Sequence, residues 1–92
     1  ELSRVNFHQT FLGVTNYMAQ TGFTCGNSEE AILKRTAISQ AEQVIVLMDS
    51  QKLGVKGTYS ICSLEDIDIL VSDGNLPEDF LADCRRHNVK VL

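Results

Sequence analysis

The 92-residue chain is poor in the residues that mark several classes of protein. It has one proline, three cysteines and no tryptophan, and no apolar run approaches the roughly 20 residues that a membrane-spanning helix needs. An odd number of cysteines without a CxxC or His/Cys pair argues against a disulfide framework and against a zinc site. No signal peptide is visible. We therefore expect a cytoplasmic chain with free thiols, no metal or other cofactor, and no membrane contact.

Positive charge is also scarce. Eight Lys and Arg residues against twelve Asp and Glu give a net charge of −4, and the basic residues are scattered rather than aligned on one predicted face. Because proteins bind DNA by setting clustered Lys and Arg against its phosphates, this segment alone is a poor candidate for DNA binding. Its length allows one domain at most, and an apolar fraction of 43% excludes wholesale disorder.

The most informative segment is the apolar run VIVLM at residues 44–48, followed at once by DSQKLG at residues 49–54. Five successive apolar residues, three of them β-branched, are too few for an isolated helix and favour a strand buried on both faces. Parallel sheets of this kind bind ligands beyond the carboxyl ends of their strands. Asp49, Ser50 and Lys52 come at that point, which indicates a small anionic or hydroxylated ligand.

The rest of the chain alternates between strand and helix patterns. Asn27 and Glu30 have capping-box spacing and predict a helix to about Glu42. The other predicted elements are a strand at 8–14, a polar loop at 15–27, a short strand at 58–62, a strand between 64 and 71, a helix from Pro77 to His87 capped by Asn88, and a strand at 89–92. Alternating strands and helices predict an α/β fold with a mostly parallel sheet flanked by helices.

Several short motifs occur in an order that resembles a known family. They are Phe11-Leu12-Gly13, Gly22-Phe23-Thr24, Glu30-Ala31 with Lys34-Arg35, residues 45–49 with Lys52 and Gly54, and Asp66-Ile67-Asp68 with Asp73. Together they resemble the carboxyl-terminal sensor domain of the DeoR (deoxyribose-operon repressor) family of bacterial transcription regulators. The resemblance covers residues 7–92.

The resemblance implies a fold shared with ribose-5-phosphate isomerase, glucosamine-phosphate deaminase and CoA transferases. It implies that residues 1–92 are the C-terminal portion of the sensor domain, without its first half and without the amino-terminal helix-turn-helix. A phosphorylated sugar or sugar alcohol would be the effector, DNA would be bound only through the helix-turn-helix, and the protein would be a repressor rather than an enzyme. A sheet without its other half exposes apolar surface, so we also expect a homo-oligomer.

Eight residues are candidates for effector binding: Gly13, Thr15, Asn16, Thr24, Glu30, Lys34, Asp49 and Lys52. The first four belong to a glycine-containing stretch after the first strand, where glycine allows close backbone approach and the polar side chains offer hydrogen bonds. Lys52 matches a lysine in isomerases of the fold, according to the resemblance. We predict no catalytic residue.

Alternatives remain open at most of these positions. Lys52 is either a ligand or a surface lysine, and Asp49 either binds sugar hydroxyls or caps the following turn. Glu30 matches the base of the isomerase relatives, so an aldose–ketose isomerase with Glu30 as general base is the alternative function. Alternatively, Glu30 only closes the helix cap and pairs with Lys34. Lys34 itself could reach an anionic ligand, a neighbouring subunit or water. Asp73, at another strand end, we interpret as part of a turn.

Overall fold

The computed structural model describes residues 7–13, 16–55 and 57–92. In chain order the elements are β1 (Phe7–Gly13), β2 (Asn16–Met18), β3 (Gly22–Cys25), α1 (Ser28–Gln40), β4 (Ala41–Leu47), β5 (Tyr59–Cys62), β6 (Ile69–Val71), α2 (Glu78–Arg86) and β7 (Lys90–Val91). Two 3₁₀ turns, Ser50–Lys52 and Leu64–Asp66, precede β5 and β6. Neither helix in this part of the chain has the length and apolar character to cross a bilayer.

The main sheet has four parallel strands in the order β1-β4-β6-β7, which confirms the predicted α/β fold with a mostly parallel sheet. The strands are added in one direction only, and right-handed crossovers therefore place every connection on the same face. The core lies on this face, between the sheet, the two helices and the smaller sheet. Its members include Leu12, Val46 and Leu70 from the strands, Ala31 from α1, and Phe80 and Cys84 from α2.

Local signals explain where the helices begin and end. The Asn27 side chain accepts a hydrogen bond from the Glu30 amide at 2.9 Å, which confirms the predicted N-cap. Helix α1 ends at Gln40, two residues before the predicted limit, because β4 starts at Ala41 and pairs with β1. After α2, Asn88 adopts a φ of 59°, the left-handed conformation that ends helices.

The polar loop predicted at residues 15–27 is wrong. Residues 16–18 and 22–25 form an antiparallel hairpin, and β3 also pairs with β5 to complete a three-stranded sheet. The hairpin forms because Tyr17 and Phe23 are cross-strand partners whose ring centroids lie 4.7 Å apart, both buried in the core. Aromatic pairs of this kind stabilise antiparallel strands. The predicted strand end at Val14 and the candidate Thr15 lie outside the described residues.

Two strand boundaries also differ from the prediction. β4 begins three residues before the apolar run, because the partly exposed segment Ala41–Gln43 still pairs with β1. The segment predicted as strand from Leu64 instead begins with the 3₁₀ turn Leu64–Asp66, whose Asp66 carboxylate accepts from the Ser63 amide at 2.9 Å. That local cap delays the strand to Ile69.

Candidate functional site

The carboxyl ends of β1, β4 and β6 bring predicted site residues to one edge of the sheet. Gly13 pairs with Leu47, and Leu47 pairs with Val71, so the three strands end level with one another. Asp49 follows Leu47 by two residues, and Asp73 follows Val71 by the same number. The crossover from β1 to β4 makes α1 run back along the sheet, which places the start of α1 at this edge as well. We call this region the carboxyl edge.

Glu30 and Lys34 meet Gly13 at the carboxyl edge. The Lys34 ammonium donates to the Gly13 carbonyl oxygen and forms an ion pair with Glu30 at 2.7 Å. The Lys34 side chain is only 17% exposed, whereas that of Glu30 is 44% exposed. The ammonium therefore ties helix α1 to the end of β1, and an anionic ligand would have to compete with the Glu30 carboxylate for it.

Asn16 and Thr24 lie side by side in the hairpin, together with Gly57. They are partners in the β2–β3 register, and the Thr24 hydroxyl accepts a hydrogen bond from the Gly57 amide at 2.8 Å. A methyl group on Gly57 would lie 2.7 Å from that hydroxyl and 2.9 Å from the Asn16 amide nitrogen. Thr24 is 1% exposed. Its hydroxyl fastens the segment before β5 to the hairpin, an interaction that sequence reasoning missed because its partner is far along the chain.

Asp49, Ser50 and Asp73 form the polar cluster at the ends of β4 and β6. Asp49 accepts from the Gln51 amide at 3.0 Å, which is the turn-capping role left open above. The Ser50 hydroxyl donates to Asp73 at 2.9 Å, and Asp73 also accepts from the Asn75 amide at 3.1 Å. Asp73 is thus in a turn, as interpreted, and also joins the two strand ends. The only sequence signal for the Ser50–Asp73 hydrogen bond was that Asp73 lies two residues beyond β6, as Asp49 lies two residues beyond β4.

Hydrogen bonds within this cluster favour the ionised form of the Asp73 carboxyl. The Asn75 amide, and after it the Ser50 hydroxyl, hold the pKa of the Asp73 carboxyl below its ordinary value of 3.8. A carboxyl whose pKa is lower in the folded state stabilises the fold above the unfolded pKa, and this stabilisation is lost as pH falls through the folded value. We expect the Asp73 carboxyl to titrate below 3.8 by NMR and Asp73→Asn to flatten the acid limb of the stability curve. A midpoint at or above 3.8 would contradict this.

Lys52 is exposed at the end of the 3₁₀ turn that follows Asp49. The Lys52 amide donates to the Asp49 carbonyl oxygen at 2.9 Å, and the next residue, Leu53, bridges to Tyr17 of the hairpin. The Gly54 amide donates to the Tyr17 carbonyl oxygen at 2.8 Å. The turn is thus anchored on both sides, and Lys52 within it is exposed.

Two neighbouring hollows lie elsewhere, between the hairpin and α2. They have volumes of about 340 and 430 Å³ and share Tyr17, Ala19, Gln20 and Asp83 among their lining residues. None of the predicted site residues that the structure describes lines either hollow. The structure therefore does not bring the described candidates into one hollow: Asn16 and Thr24 lie in the hairpin, whereas Gly13, Lys34 and Asp49 lie at the carboxyl edge.

Fold and site together define a class of protein: a small α/β domain with polar side chains gathered at the carboxyl edge of a parallel sheet, where such domains bind small ligands. Comparison with known families shows to which family of such domains the chain belongs. The sequence matches the family model described as DeoR C terminal sensor domain over residues 1–74. The chain belongs to this family of transcriptional regulators, as the resemblance implied.

Individual relatives give the same result. The chain is 34% identical to the HTH-type transcriptional repressor GlcR of Bacillus subtilis, covering 100% of this chain and 35% of that protein. It is 32% identical to the HTH-type transcriptional regulator GlpR of Haloferax volcanii, covering 99% of this chain and 36% of GlpR. A putative aga operon transcriptional repressor of Escherichia coli O157:H7 is also 32% identical, with 99% and 34% covered. The chain thus spans about a third of the length of these relatives.

Proposed function

We propose that the chain senses a phosphorylated sugar or sugar alcohol at the carboxyl edge, and that in a full-length regulator this binding controls operator recognition by a separate helix-turn-helix. What supports the proposal is that β1, β4 and β6 end level at one edge of the parallel sheet, where the Ser50 hydroxyl donates to Asp73 and Lys52 belongs to the turn that follows Asp49. Effector binding by the eight candidate residues stays a prediction, and Thr15 lies outside the described part of the chain.

The polar groups at this edge suit the two chemical parts of such a ligand. Carboxylates accept hydrogen bonds, so Asp49 and Asp73 are suited to sugar hydroxyl groups, and the Ser50 hydroxyl can both donate and accept. An ammonium group is suited to a phosphate. Lys52 is exposed and follows Asp49 by three residues, whereas the ammonium of Lys34 is held by Glu30 and Gly13. We therefore assign the phosphate contact to Lys52 and a positioning role to Lys34.

Regulation by this ligand requires two states of the full-length protein. An effector shifts operator binding only as far as its affinities for the DNA-binding and DNA-free arrangements differ. Holding the sugar is sufficient for this mechanism, and no bond in the sugar has to change. The isomerase alternative gains no support, because the Glu30 carboxylate is paired with Lys34 and the relatives are transcriptional regulators.

A thermal-shift experiment on the 92-residue chain tests the proposed ligand class. At about 100 times its dissociation constant a ligand stabilises the folded state by about 2.7 kcal/mol. For a domain of this size each kcal/mol raises Tm by about 4–8 °C, so we expect a rise of roughly 10–20 °C with the matching sugar phosphate, from a panel that includes ribose 5-phosphate and hexose phosphates. The controls are the unphosphorylated sugars and inorganic phosphate.

The outcomes separate the candidate functions. If no phosphorylated sugar raises Tm more than its parent sugar and phosphate do, the proposed ligand class is wrong. Turnover of ribose 5-phosphate that disappears in Glu30→Gln would instead establish the isomerase.

A further inference from the structure

The two hollows between the hairpin and α2 have the size of ligand sites. Their volumes of about 340 and 430 Å³ fall within the range of about 300–1,000 Å³ that is usual for small-molecule pockets. Because they share lining residues they are adjacent, and we call the two together the α2 hollow. Its lining includes Tyr17, Gln20, Thr21, Asp79, Asp83 and His87.

The walls of the α2 hollow are held in place by packing and by hydrogen bonds. The Tyr17 ring packs on Phe80 of α2 with 5.1 Å between ring centroids, and the two residues are 6% and 5% exposed. The Gly54 amide donates to the Tyr17 carbonyl oxygen at 2.8 Å. The Thr21 amide donates to the Met18 carbonyl oxygen at 3.2 Å and closes the hairpin turn. The hollow is thus preformed, as ligand pockets usually are, and has an aromatic wall.

One polar atom at the α2 hollow lacks a partner. The Thr21 hydroxyl oxygen is buried and makes no hydrogen bond with any described residue, and Thr21 lines the larger of the two hollows. A buried hydroxyl without a partner destabilises the fold, so native structures rarely keep one. A threonine side chain turns between staggered positions about its Cα–Cβ bond, so the hydroxyl can meet a ligand in the hollow. Such a ligand would satisfy a group that the fold itself leaves unpaired.

The charged groups of the α2 hollow favour ligands that donate hydrogen bonds. Asp83 lines both hollows with a side chain that is 27% exposed, and Asp79 and Glu65 line one each. The Nδ1 atom of His87 lies 2.9 Å from the Asp83 carbonyl oxygen, so Nδ1 donates and Nε2 of the neutral ring is left as an acceptor. No Lys or Arg is among the described residues of this lining. A phosphate would therefore be repelled, whereas hydroxyl and ammonium groups would be bound.

Asp83 keeps acceptor capacity although it belongs to an ion pair. Its Oδ1 atom pairs with Arg86, an exposed residue of α2 that is not among the residues lining the hollow. A carboxylate has about four acceptor sites. The ion pair therefore orients Asp83 and leaves it able to accept from a ligand.

We propose that the α2 hollow binds a small polyhydroxy compound without negative charge, an unphosphorylated sugar or amino sugar, at a site separate from the carboxyl edge. Asp83 and His87 accept hydrogen bonds from its hydroxyl or amino groups, and the Thr21 hydroxyl gains its missing partner. The apolar face of the compound packs on the wall that Tyr17 and Phe80 form. The two sites differ in charge, because the carboxyl edge offers a lysine and the hollow offers carboxylates.

NMR titration of the isotope-labelled 92-residue chain tests the proposal. The probes are ribose, glucose, galactose and glucosamine, each beside its phosphate, up to millimolar concentration. We expect the amide signals of Gln20, Thr21 and Asp83 to shift with at least one unphosphorylated probe and not with its phosphate, while the Gly13 signal at the carboxyl edge stays in place. A larger shift with glucosamine than with glucose would assign the contact with Asp83 to the ammonium group, and equal shifts would assign it to hydroxyl groups.

Two variants and a matched control test the contacts. Asp83→Asn should weaken binding about five- to tenfold, because a hydrogen bond to a charged group becomes one to a neutral group. Arg86→Gln breaks the same ion pair from outside the lining and should bind like wild type. Thr21→Val keeps the shape of the side chain and should weaken binding about two- to tenfold. It should also raise Tm without ligand, since it removes an unpaired buried hydroxyl.

Four results would overturn the proposal. The first is the absence of any shift at Gln20, Thr21 and Asp83 with all four probes, and the second is an equal loss of affinity in Asp83→Asn and Arg86→Gln. The third is wild-type affinity in Thr21→Val. The fourth is calorimetry in which the probe binds the 92-residue chain but not a full-length regulator that carries it, because another segment would then cover the hollow.

Lys52→Met separates this site from the one at the carboxyl edge. It should leave binding of the unphosphorylated probe unchanged, because Lys52 is not among the residues that line the hollow. A loss of probe binding in Lys52→Met would place the probe at the carboxyl edge and overturn the second site, whereas failure of every phosphorylated sugar to bind would leave the α2 hollow untouched.

Discussion

Lys52→Met is expected to weaken binding of a phosphorylated sugar by roughly 10- to 100-fold while leaving the fold intact. A hydrogen bond to a charged group contributes about 1.5–3 kcal/mol, and each 1.4 kcal/mol is a factor of about ten in the dissociation constant. Methionine keeps the length and apolar stem of lysine but removes the ammonium. The Lys52 side chain is exposed, so little packing is lost and Tm without ligand should not change.

The control for Lys52 is Lys90→Met, which makes the same change in net charge at an exposed position of β7 away from the carboxyl edge. Isothermal titration calorimetry at two ionic strengths measures both variants. We expect wild-type affinity for Lys90→Met, and a loss of salt dependence in Lys52→Met because exposed charge interactions are screened by salt. Equal losses in the two variants would indicate only a general effect of net charge, and an unchanged affinity in Lys52→Met would remove this lysine from the site.

The parts of the fold that local signals determine could be predicted from the sequence. The Asn27 cap of α1 and the strand that contains residues 44–47 depend on residues adjacent in sequence, and the structure confirms both. The hairpin was missed because its evidence is not local. Tyr17 packs on Phe23 and on Phe80 of α2, and β3 pairs with β5 as a second partner. A polar, glycine-containing segment gives no sign of partners that far away.

Some residues of the candidate site could likewise be predicted from local sequence, and others could not. Asp49 and Lys52 could be found because they directly follow a recognisable strand. Ser50 and Asp73 interact only because β4 and β6 are neighbours, and strand order is not visible in local periodicity. The run at 44–48 predicts burial on both sides, and Ile45 is 6% exposed, but Leu47, the last residue of β4 on the same face, is 43% exposed.

Gly22→Ala is expected to destabilise the fold by roughly 2–5 kcal/mol. Gly22 has a φ of 75°, and a methyl group there would lie 2.5 Å from the Cys62 carbonyl oxygen of β5. The left-handed conformation costs a residue with a side chain about 1–2 kcal/mol, and overpacking against rigid neighbours costs about 1–3 kcal/mol more. Urea denaturation measures the sum. Because the hairpin carries Asn16 and Thr24, effector binding should fall with stability.

Substitutions at two other glycines separate the cost of the left-handed conformation from the cost of steric overlap. Gly74→Ala places a side chain at a φ of 88° with no atom within 4 Å of the new methyl group, so only the conformational cost of about 1–2 kcal/mol is expected. Gly26→Ala has neither a left-handed φ nor a close neighbour, and its free energy of unfolding should stay within about 0.5 kcal/mol of wild type. If Gly22→Ala were no less stable than Gly74→Ala, the close approach of β3 to β5 would contribute nothing to the cost.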